Sequence, residues 1–69
     1  MHLDNRGLSP PEPMLRILEA LDRLPAHETL TAQMDRRPVF LFPELEERGY
    51  AYTIEQQPEG WFSLTIQQR

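Results

Sequence analysis

The chain has 69 residues, of which 39% are hydrophobic and 26% are charged, and its formal net charge is −4 at pH 7. These values are typical of one small folded domain and exclude a disordered segment. No apolar stretch approaches the roughly 20 residues that span a bilayer, and the chain does not begin like a signal peptide. We therefore expect a cytoplasmic protein. The negative charge disfavours nucleic acid and anionic membranes as partners.

The chain contains no cysteine. This excludes disulfides, thiolate nucleophiles, persulfide carriage, and zinc or iron–sulfur sites with cysteine ligands. Its basic residues are all arginine. Lysine chemistry such as Schiff-base formation is therefore excluded as well.

Residues 3–13 are predicted to join a short first strand, residues 2–4, to a first helix. Residues 9–12 match an S-x-x-E capping box, in which the serine would cap the helix. However, Pro11 disfavours helical angles at Pro10. We therefore favour Pro10 as the cap and Pro11 as the first helical residue.

The apolar residues that follow Pro13 recur at three- and four-residue spacings, which predicts an amphipathic helix. The helix should end at Leu24, because Pro25 cannot continue it. Glu19 and Arg23 form a favourable i, i+4 pair on the polar side. The predicted apolar stripe consists of Met14, Leu15, Ile17, Leu18, Leu21 and Leu24.

Residues 28–34 alternate between apolar and polar, which predicts a half-buried strand with Leu30, Ala32 and Met34 facing inward. Residues 39–42 alone would suit a strand, but residues 38–48 together favour one helical region, bent or broken at Pro43. A glycine at position 49 is suited to end that helix. Its predicted inward residues are Val39, Leu41, Phe42 and Leu45.

The last twenty residues predict a β-hairpin. Residues 50–55 and 61–67 alternate, with Phe62, Leu64 and Ile66 on one face, and residues 57–60 carry turn residues. The order is therefore β-α-β-α-β-β. Right-handed crossovers then predict an α+β fold, a two-layer α/β sandwich with a four-stranded mixed sheet and two helices on one face. We expect a single domain over residues 1–69.

The sheet face opposite the helices is expected to be polar and open, which makes it a candidate docking surface. Its residues are Thr29, Thr31, Gln33, Thr53, Glu55, Ser63 and Thr65, with Trp61 as a candidate neighbour. Because so small a core needs its aromatic side chains, most of them are expected to be buried. They are Phe40, Phe42, Tyr50, Tyr52 and Trp61, of which Trp61 is the candidate for partial exposure.

The opening stretch, together with this element order, resembles the SirA/TusA family of small sulfur carriers. Their hallmark reads Leu-Asp-x-x-Gly-Leu-x-Cys-Pro-x-Pro, and the matching residues here are Leu3, Asp4, Gly7, Leu8, Pro11 and Pro13. The family's thiolate lies at a helix N-terminus, where it accepts sulfur as a persulfide. Pro10 stands at the cysteine position, so the resemblance does not imply sulfur transfer.

The chain is more similar to an uncharacterised, cysteine-less sister family of TusA-like domains. The similarity rests on Pro-Pro-Glu-Pro at residues 10–13, on Asp-Arg-Arg-Pro at residues 35–38, and on residues 43–49. Such domains are similar to ones found beside or fused to hemerythrin-like and nitrogen-oxide-handling proteins. The resemblance assigns no activity.

Candidate binding residues lie at the start of the first helix and in the loop after the second strand, where open α/β sheets tend to bind ligands. They are Arg6, Pro10, Glu12, Asp35, Arg36 and Arg37. Arg6 could instead pair with Asp4 or Glu12. Anion binding is disfavoured because, among residues 10–13, only Glu12 keeps a backbone N–H and it carries a negative charge.

No pattern predicts a catalytic constellation, so we expect no enzyme, no resident cofactor and no metal. His2 and His27 could form a metal site with Asp4 or Glu28, but their spacing does not favour it. The acidic residues of the second helix are expected to be solvated; they are Glu44, Glu46 and Glu47.

Two functions follow from these observations. The leading hypothesis is a non-catalytic TusA-like adaptor that binds another protein at the first-helix edge and at the loop of residues 35–37. The alternative is an accessory protein that binds a small ligand, a metal or haem in redox or nitrogen-oxide metabolism. The alternative would use His2, His27 or a pocket behind Pro10.

Overall fold

The structure, a computed structural model, describes residues 1–69. The chain forms the predicted order β-α-β-α-β-β. Its elements are β1 (His2–Asp4), α1 (Glu12–Arg23), β2 (Thr29–Met34), α2 (Leu41–Glu47), β3 (Tyr50–Gln56) and β4 (Phe62–Gln68).

The four strands form one sheet in the order β1-β2-β4-β3. Strands β1 and β2 are parallel, whereas β4 is antiparallel to both of its neighbours. Both helices pack against the same sheet face, because residues of α1 and α2 share one core with inward residues of β2 and β4. The predicted two-layer α/β sandwich with a mixed sheet is therefore confirmed.

The core consists of the inward residues of alternating strands and the apolar stripes of the helices. Its buried members are Ile17, Leu21, Leu24, Leu30, Ala32, Met34, Leu41, Leu45, Leu64 and Ile66. The alternation places Thr31, Thr65 and Thr53 in register on the opposite face. The predicted polar face is therefore present. No helix is both long and apolar enough to cross a membrane.

Helix α1 differs from the prediction in two respects. It begins at Glu12 with Pro11 as its N-cap, and no side chain caps it, so both predicted cap assignments were wrong. The Ser9 carbonyl accepts the Glu12 N–H at 3.0 Å, which makes a separate turn before the helix. Leu15 is 54% exposed. It lies about 200° around the helix from Ile17, on the side away from the core.

Helix α2 is shorter than predicted. The Leu41 N–H donates to the Pro38 carbonyl at 2.9 Å, so residues 38–40 form a turn and the helix begins at Leu41. Val39 was predicted inward but is 56% exposed, and Phe40 was predicted buried but is 83% exposed. Pro43 does not break the helix, because it lies in the first turn, where a backbone N–H has no helical partner.

The C-terminal hairpin agrees with the prediction. The Gly60 N–H donates to the Gln57 carbonyl at 2.8 Å, and the Gln57 N–H donates to the Trp61 carbonyl at 2.7 Å. Gly60 adopts a φ of 104°, which glycine alone adopts without strain. Trp61 is half-buried, as expected for a residue just after the turn.

The different burial of two residues in α1 gives a direct test of this packing. Ile17→Ala removes a fully buried side chain and should lower the free energy of unfolding by roughly 2–4 kcal/mol. Leu15→Ala, in the same helix, should change it by less than about 0.5 kcal/mol. Urea denaturation measures both. Equal losses would contradict the assigned orientation of the helix.

Candidate functional site

Asn5, directly after β1, is the only buried polar residue of the chain, with 1% of its surface exposed. Its backbone N–H donates to the Gln33 carbonyl at 2.9 Å and so extends the β1–β2 pairing by one residue. Its side-chain Nδ2 donates to the Pro13 carbonyl at 3.1 Å and contacts the Met34 Sδ at 3.6 Å. One residue therefore joins the end of β1, the start of α1 and the end of β2.

The Asn5 Oδ1 is buried and has no hydrogen-bond partner. The reverse orientation of the amide would place this oxygen against the Pro13 carbonyl, where two acceptors would meet. The orientation with Nδ2 toward Pro13 is therefore the favoured one. A buried acceptor without a donor costs about 1–3 kcal/mol, and such groups in native proteins call for an explanation.

The residues that flank Asn5 form a local ion pair. The Arg6 Nε donates to the Asp4 Oδ1 at 3.0 Å, and a second guanidinium nitrogen donates to the Oδ2 at 3.1 Å. The Arg6 guanidinium also lies 5.0 Å from the centroid of the Trp61 ring. The predicted pairing of Arg6 with Asp4 is thus present. It holds the Arg6 side chain against Asp4 and Trp61.

Asp35 connects the two loops that begin where β1 and β2 end. Its Oδ2 accepts the Gly7 N–H at 2.6 Å. Gly7 adopts a φ of 85°, which favours glycine and lets its N–H reach the carboxylate. Because this bond ties the β1–α1 loop to the β2–α2 loop, the two loops form adjacent walls of one depression.

That depression, which we call the junction groove, has a volume of about 680 Å³. It lies between the α1 start and the loop that leads into α2, and Asn5 and Met34 are among its lining residues. The other lining residues are Gly7, Leu8, Ser9, Pro10, Pro11, Pro13, Met14, Asp35, Arg36, Arg37, Pro38, Val39, Phe40 and Leu41.

The junction groove brings together four of the six predicted binding residues, namely Pro10, Asp35, Arg36 and Arg37. Arg6 and Glu12 do not line it. Sequence reasoning missed Asn5, Met14 and the exposed pair Val39 and Phe40. Nothing in the sequence marks Asn5, because its burial depends on residues 8 and 29 positions away. Phe40 was misassigned because its burial was inferred from the need of a small core for aromatic side chains, whereas the turn at residues 38–40 leaves it exposed.

The two arginines of the groove differ in their surroundings. The Arg37 guanidinium lies 5.9 Å from the Phe42 ring centroid and 6.0 Å from that of Phe62, which are cation–π distances. Arg36 is exposed and takes part in none of the ion pairs of the structure. Its positive charge is therefore free to meet a carboxylate of a bound molecule.

The start of α1 offers few backbone donors. The Glu12 N–H is used by the Ser9 carbonyl, Pro13 has no N–H, and the Leu15 N–H donates to the Pro11 carbonyl at 3.1 Å. The Met14 N–H is left without an acceptor within the chain. This arrangement offers one donor where an ordinary helix offers several.

The two histidines do not form a metal site in the structure. His2 lies on β1 opposite Thr31, and His27 lies in the α1–β2 loop with a φ of 70°. No group of three or more histidine, aspartate or glutamate side chains is placed to hold a metal ion.

A second set of contacts joins α2 to the edge strand β3. Phe42 and Tyr52 stack with ring centroids 4.7 Å apart, and the Tyr52 hydroxyl donates to the Glu46 Oε2 at 3.0 Å. Desolvation of the hydroxyl, followed by this hydrogen bond, raises the pKa of Tyr52. These contacts attach α2 to β3.

The fold and this junction define a SirA/TusA-like small α/β domain. The structure matches the crystal structure of the SirA-like protein from Desulfitobacterium hafniense with a TM-score of 0.84 and 27% sequence identity. The match covers 96% of this chain and 95% of that one. No curated protein matches the chain.

The profile of the family described as "Uncharacterized conserved protein (DUF2249)" matches residues 2–68. The chain belongs to this family. The resemblance predicted from the opening stretch is therefore confirmed.

The pKa of Asp4 tests the ion pair beside the groove. Hydrogen bonds from the Arg6 side chain and then from its backbone N–H lower the pKa of Asp4 below its ordinary value. The folded state thus holds the carboxylate ionised at a pH where the unfolded chain takes up a proton. The resulting stabilisation is present above the pKa that Asp4 has in the unfolded chain. It is lost as the pH falls through the lower pKa that Asp4 has in the folded state.

NMR titration of the Asp4 carboxyl carbon in the wild type and in Arg6→Gln measures this effect. We expect a depressed pKa in the wild type and a return toward the ordinary value in Arg6→Gln. Arg69→Gln, at the chain end, is the control and should leave Asp4 unchanged. An Asp4 pKa that is the same in wild type and Arg6→Gln would contradict the assigned cause.

Proposed function

We propose that the protein is a non-catalytic interaction module that binds a partner protein at the junction groove. The observation that carries this proposal is the exposure of Phe40, which is 83%, at the rim of a concave apolar surface. A large aromatic side chain held in water by a turn is costly unless another surface covers it. Aromatic side chains of this kind dominate the affinity of protein interfaces.

The neighbouring residues extend the same surface. Val39 is 56% exposed and directly precedes Phe40. Both lie in the turn that the Leu41 N–H closes by donating to the Pro38 carbonyl. The two side chains therefore form a continuous apolar rim beside the groove, rather than single exposed residues scattered over the surface.

The charges of the groove favour an acidic partner surface. The Asp35 carboxylate already accepts a hydrogen bond from Gly7, whereas Arg36 has no carboxylate partner. The charged residues that line the groove are Asp35, Arg36 and Arg37, with a formal charge of +1, whereas the chain as a whole carries −4. A partner that presents carboxylates at Arg36 would be drawn to this face rather than to the rest of the surface.

The chemistry of the junction supports a role without catalysis. Pro10 occupies the position at which the resemblance to the SirA/TusA pattern places cysteine, and the chain has no other thiol. The groups with shifted pKa values, Asp4, Arg6 and Tyr52, do not line the groove. No observation favours the small-ligand, metal or haem alternative over protein binding.

A photo-crosslinking experiment tests this function. A benzophenone amino acid at position 40 replaces one exposed aromatic residue by another and should leave the fold intact. The matched control carries the same amino acid at Thr53, which is exposed on the opposite sheet face. After irradiation in cells of the native source, position 40 should give a discrete adduct with one partner protein, and position 53 should not.

The adduct should depend on the groove. Arg36→Glu should lower its yield at least about fivefold, because a charge reversal at an interface weakens binding. Arg69→Glu, an equal change of charge at the far end of the sheet, should not. Adducts of equal yield from positions 40 and 53, or the lack of any specific adduct from position 40, would refute the proposal.

A further inference from the structure

We infer that the outer edge of β3 pairs with β3 of a second copy of this chain, so that the two sheets join into one across a two-fold axis. The inference is independent of the proposed function, because no residue of β3 lines the junction groove. It rests on the direction of the β3 backbone groups, on the contrast between the two edges of the sheet, and on the residue pairs that a two-fold axis produces.

Alternate residues of β3 direct their backbone groups away from the sheet. The Gln57 N–H donates to the Trp61 carbonyl, and the Arg69 N–H donates to the Gly49 carbonyl. Because hydrogen-bonded pairs alternate along an antiparallel ladder, the odd-numbered residues of β3 are the ones that bond to β4. The N–H and carbonyl groups of the even-numbered residues therefore point outward. These residues are Tyr50, Tyr52, Ile54 and Gln56.

The two edges of the sheet differ in their protection. β1 is three residues long, and the Asp4 carbonyl on its outer side accepts a hydrogen bond from the Arg16 guanidinium at 3.3 Å. β3 is seven residues long and pairs with β4 without a bulge, and its outward backbone groups bond to nothing else in the chain. Long, regular edges of this kind pair readily with another strand, which is why most proteins shorten, charge or cover them.

Full overlap of two β3 strands about a two-fold axis matches the outward groups to one another. The axis would pass beside Thr53, the middle residue of the strand, and each outward residue would face an outward residue of the second copy. Tyr50 would pair with Gln56 and Tyr52 with Ile54, and each pair would exchange two hydrogen bonds. A register shifted by one residue would instead set outward groups against groups that already bond to β4.

The side chains that this register brings together are compatible. Tyr52 and Ile54 are half-buried on the helix side of the sheet, and each would cover the other across the axis. Aromatic and β-branched residues form favourable cross-strand pairs, and so do two threonines such as Thr53 and its copy. Glu55, the only charged residue of β3, would face Ala51, so no like charges meet directly. The edge is thus complementary to a second copy of itself.

Sedimentation velocity of the purified full chain over a concentration series tests the pairing. Because one strand from each copy meets at the axis, the interface is small, and we expect a dissociation constant in the micromolar range. The 8.2 kDa chain should therefore approach a dimer of twice this mass as the concentration rises. A chain that stays monomeric up to about 1 mM would overturn the inference, and so would growth into species larger than a dimer.

The backbone contact is tested in chemically synthesised chains. N-methylation of Ile54 removes an outward N–H and should weaken the dimer at least about tenfold, because the two-fold axis makes each lost hydrogen bond count twice. N-methylation of His2, whose N–H points outward from β1, is the matched control and should leave the dimer unchanged. Equal weakening by both changes, or no weakening by the change at Ile54, would overturn the assignment to β3.

The position of the axis is tested by two recombinant variants. Thr53→Lys places like charges directly opposite each other and should weaken the dimer at least about tenfold. Thr29→Lys adds the same charge to β2, at an exposed position on the same sheet face, and should leave the dimer unchanged. A dimer that tolerates Thr53→Lys as well as it tolerates Thr29→Lys would contradict the proposed register.

The outcomes are separate from those of the proposed function. A benzophenone at position 53 would lie at the axis and report the pairing as a self-adduct of twice the mass of the chain. Such a self-adduct differs in mass from an adduct with another protein at position 40. Loss of the dimer leaves the predicted adduct at position 40 unaffected, and lack of that adduct leaves the predicted dimer unaffected.

Discussion

The carboxamide of Asn5 is the interaction on which the arrangement of the junction depends. The backbone of Asn5 extends the pairing of β1 with β2 by one residue. Its side chain donates to the first turn of α1 and contacts the final residue of β2. Each of these contacts lies at the same end of the parallel strand pair, where an α/β fold usually places its site. Because a single buried amide spans three elements, the position of the α1 start relative to the sheet is fixed by hydrogen bonding as well as by apolar packing.

The groove follows from this arrangement. The bond between Gly7 and Asp35 draws the two neighbouring loops together, and the turn at Pro38 then directs Val39 and Phe40 outward along one wall. The consecutive prolines give the opposite wall a fixed backbone and remove most of its donors. The start of α1 therefore offers few backbone donors, and the groove beside it combines apolar side chains with the charged residues Asp35, Arg36 and Arg37.

Local periodicity explains how much of the fold could be predicted from the sequence. Alternation in β2 and in the hairpin, and the spacing of Ile17 and Leu21 in α1, reflect burial directly, so the element order and most of the core were predicted correctly, whereas Leu15, Val39 and Phe40 are exposed. The errors lie where a backbone hydrogen bond decides the conformation. The Ser9 carbonyl delays the start of α1, and the Pro38 carbonyl converts residues 38–40 into a turn. The groove itself depends on residues 5, 13 and 34 meeting in space, and no short-range pattern reports such a meeting.

Stability of the Asn5→Asp variant is the most direct test of the role assigned to this amide. Aspartate has nearly the same shape, but at pH 7 it lacks the Nδ2 donor and places a carboxylate against the Pro13 carbonyl. We expect the free energy of unfolding to fall by about 3 kcal/mol at pH 7. Burial raises the folded pKa of that carboxyl, so the loss should shrink as the pH falls toward the unfolded pKa of about 3.9, where a protonated acid can donate again. Denaturant unfolding at pH 7 and pH 4 measures both values. A variant as stable as the wild type at pH 7 would show that the amide does not hold the junction together.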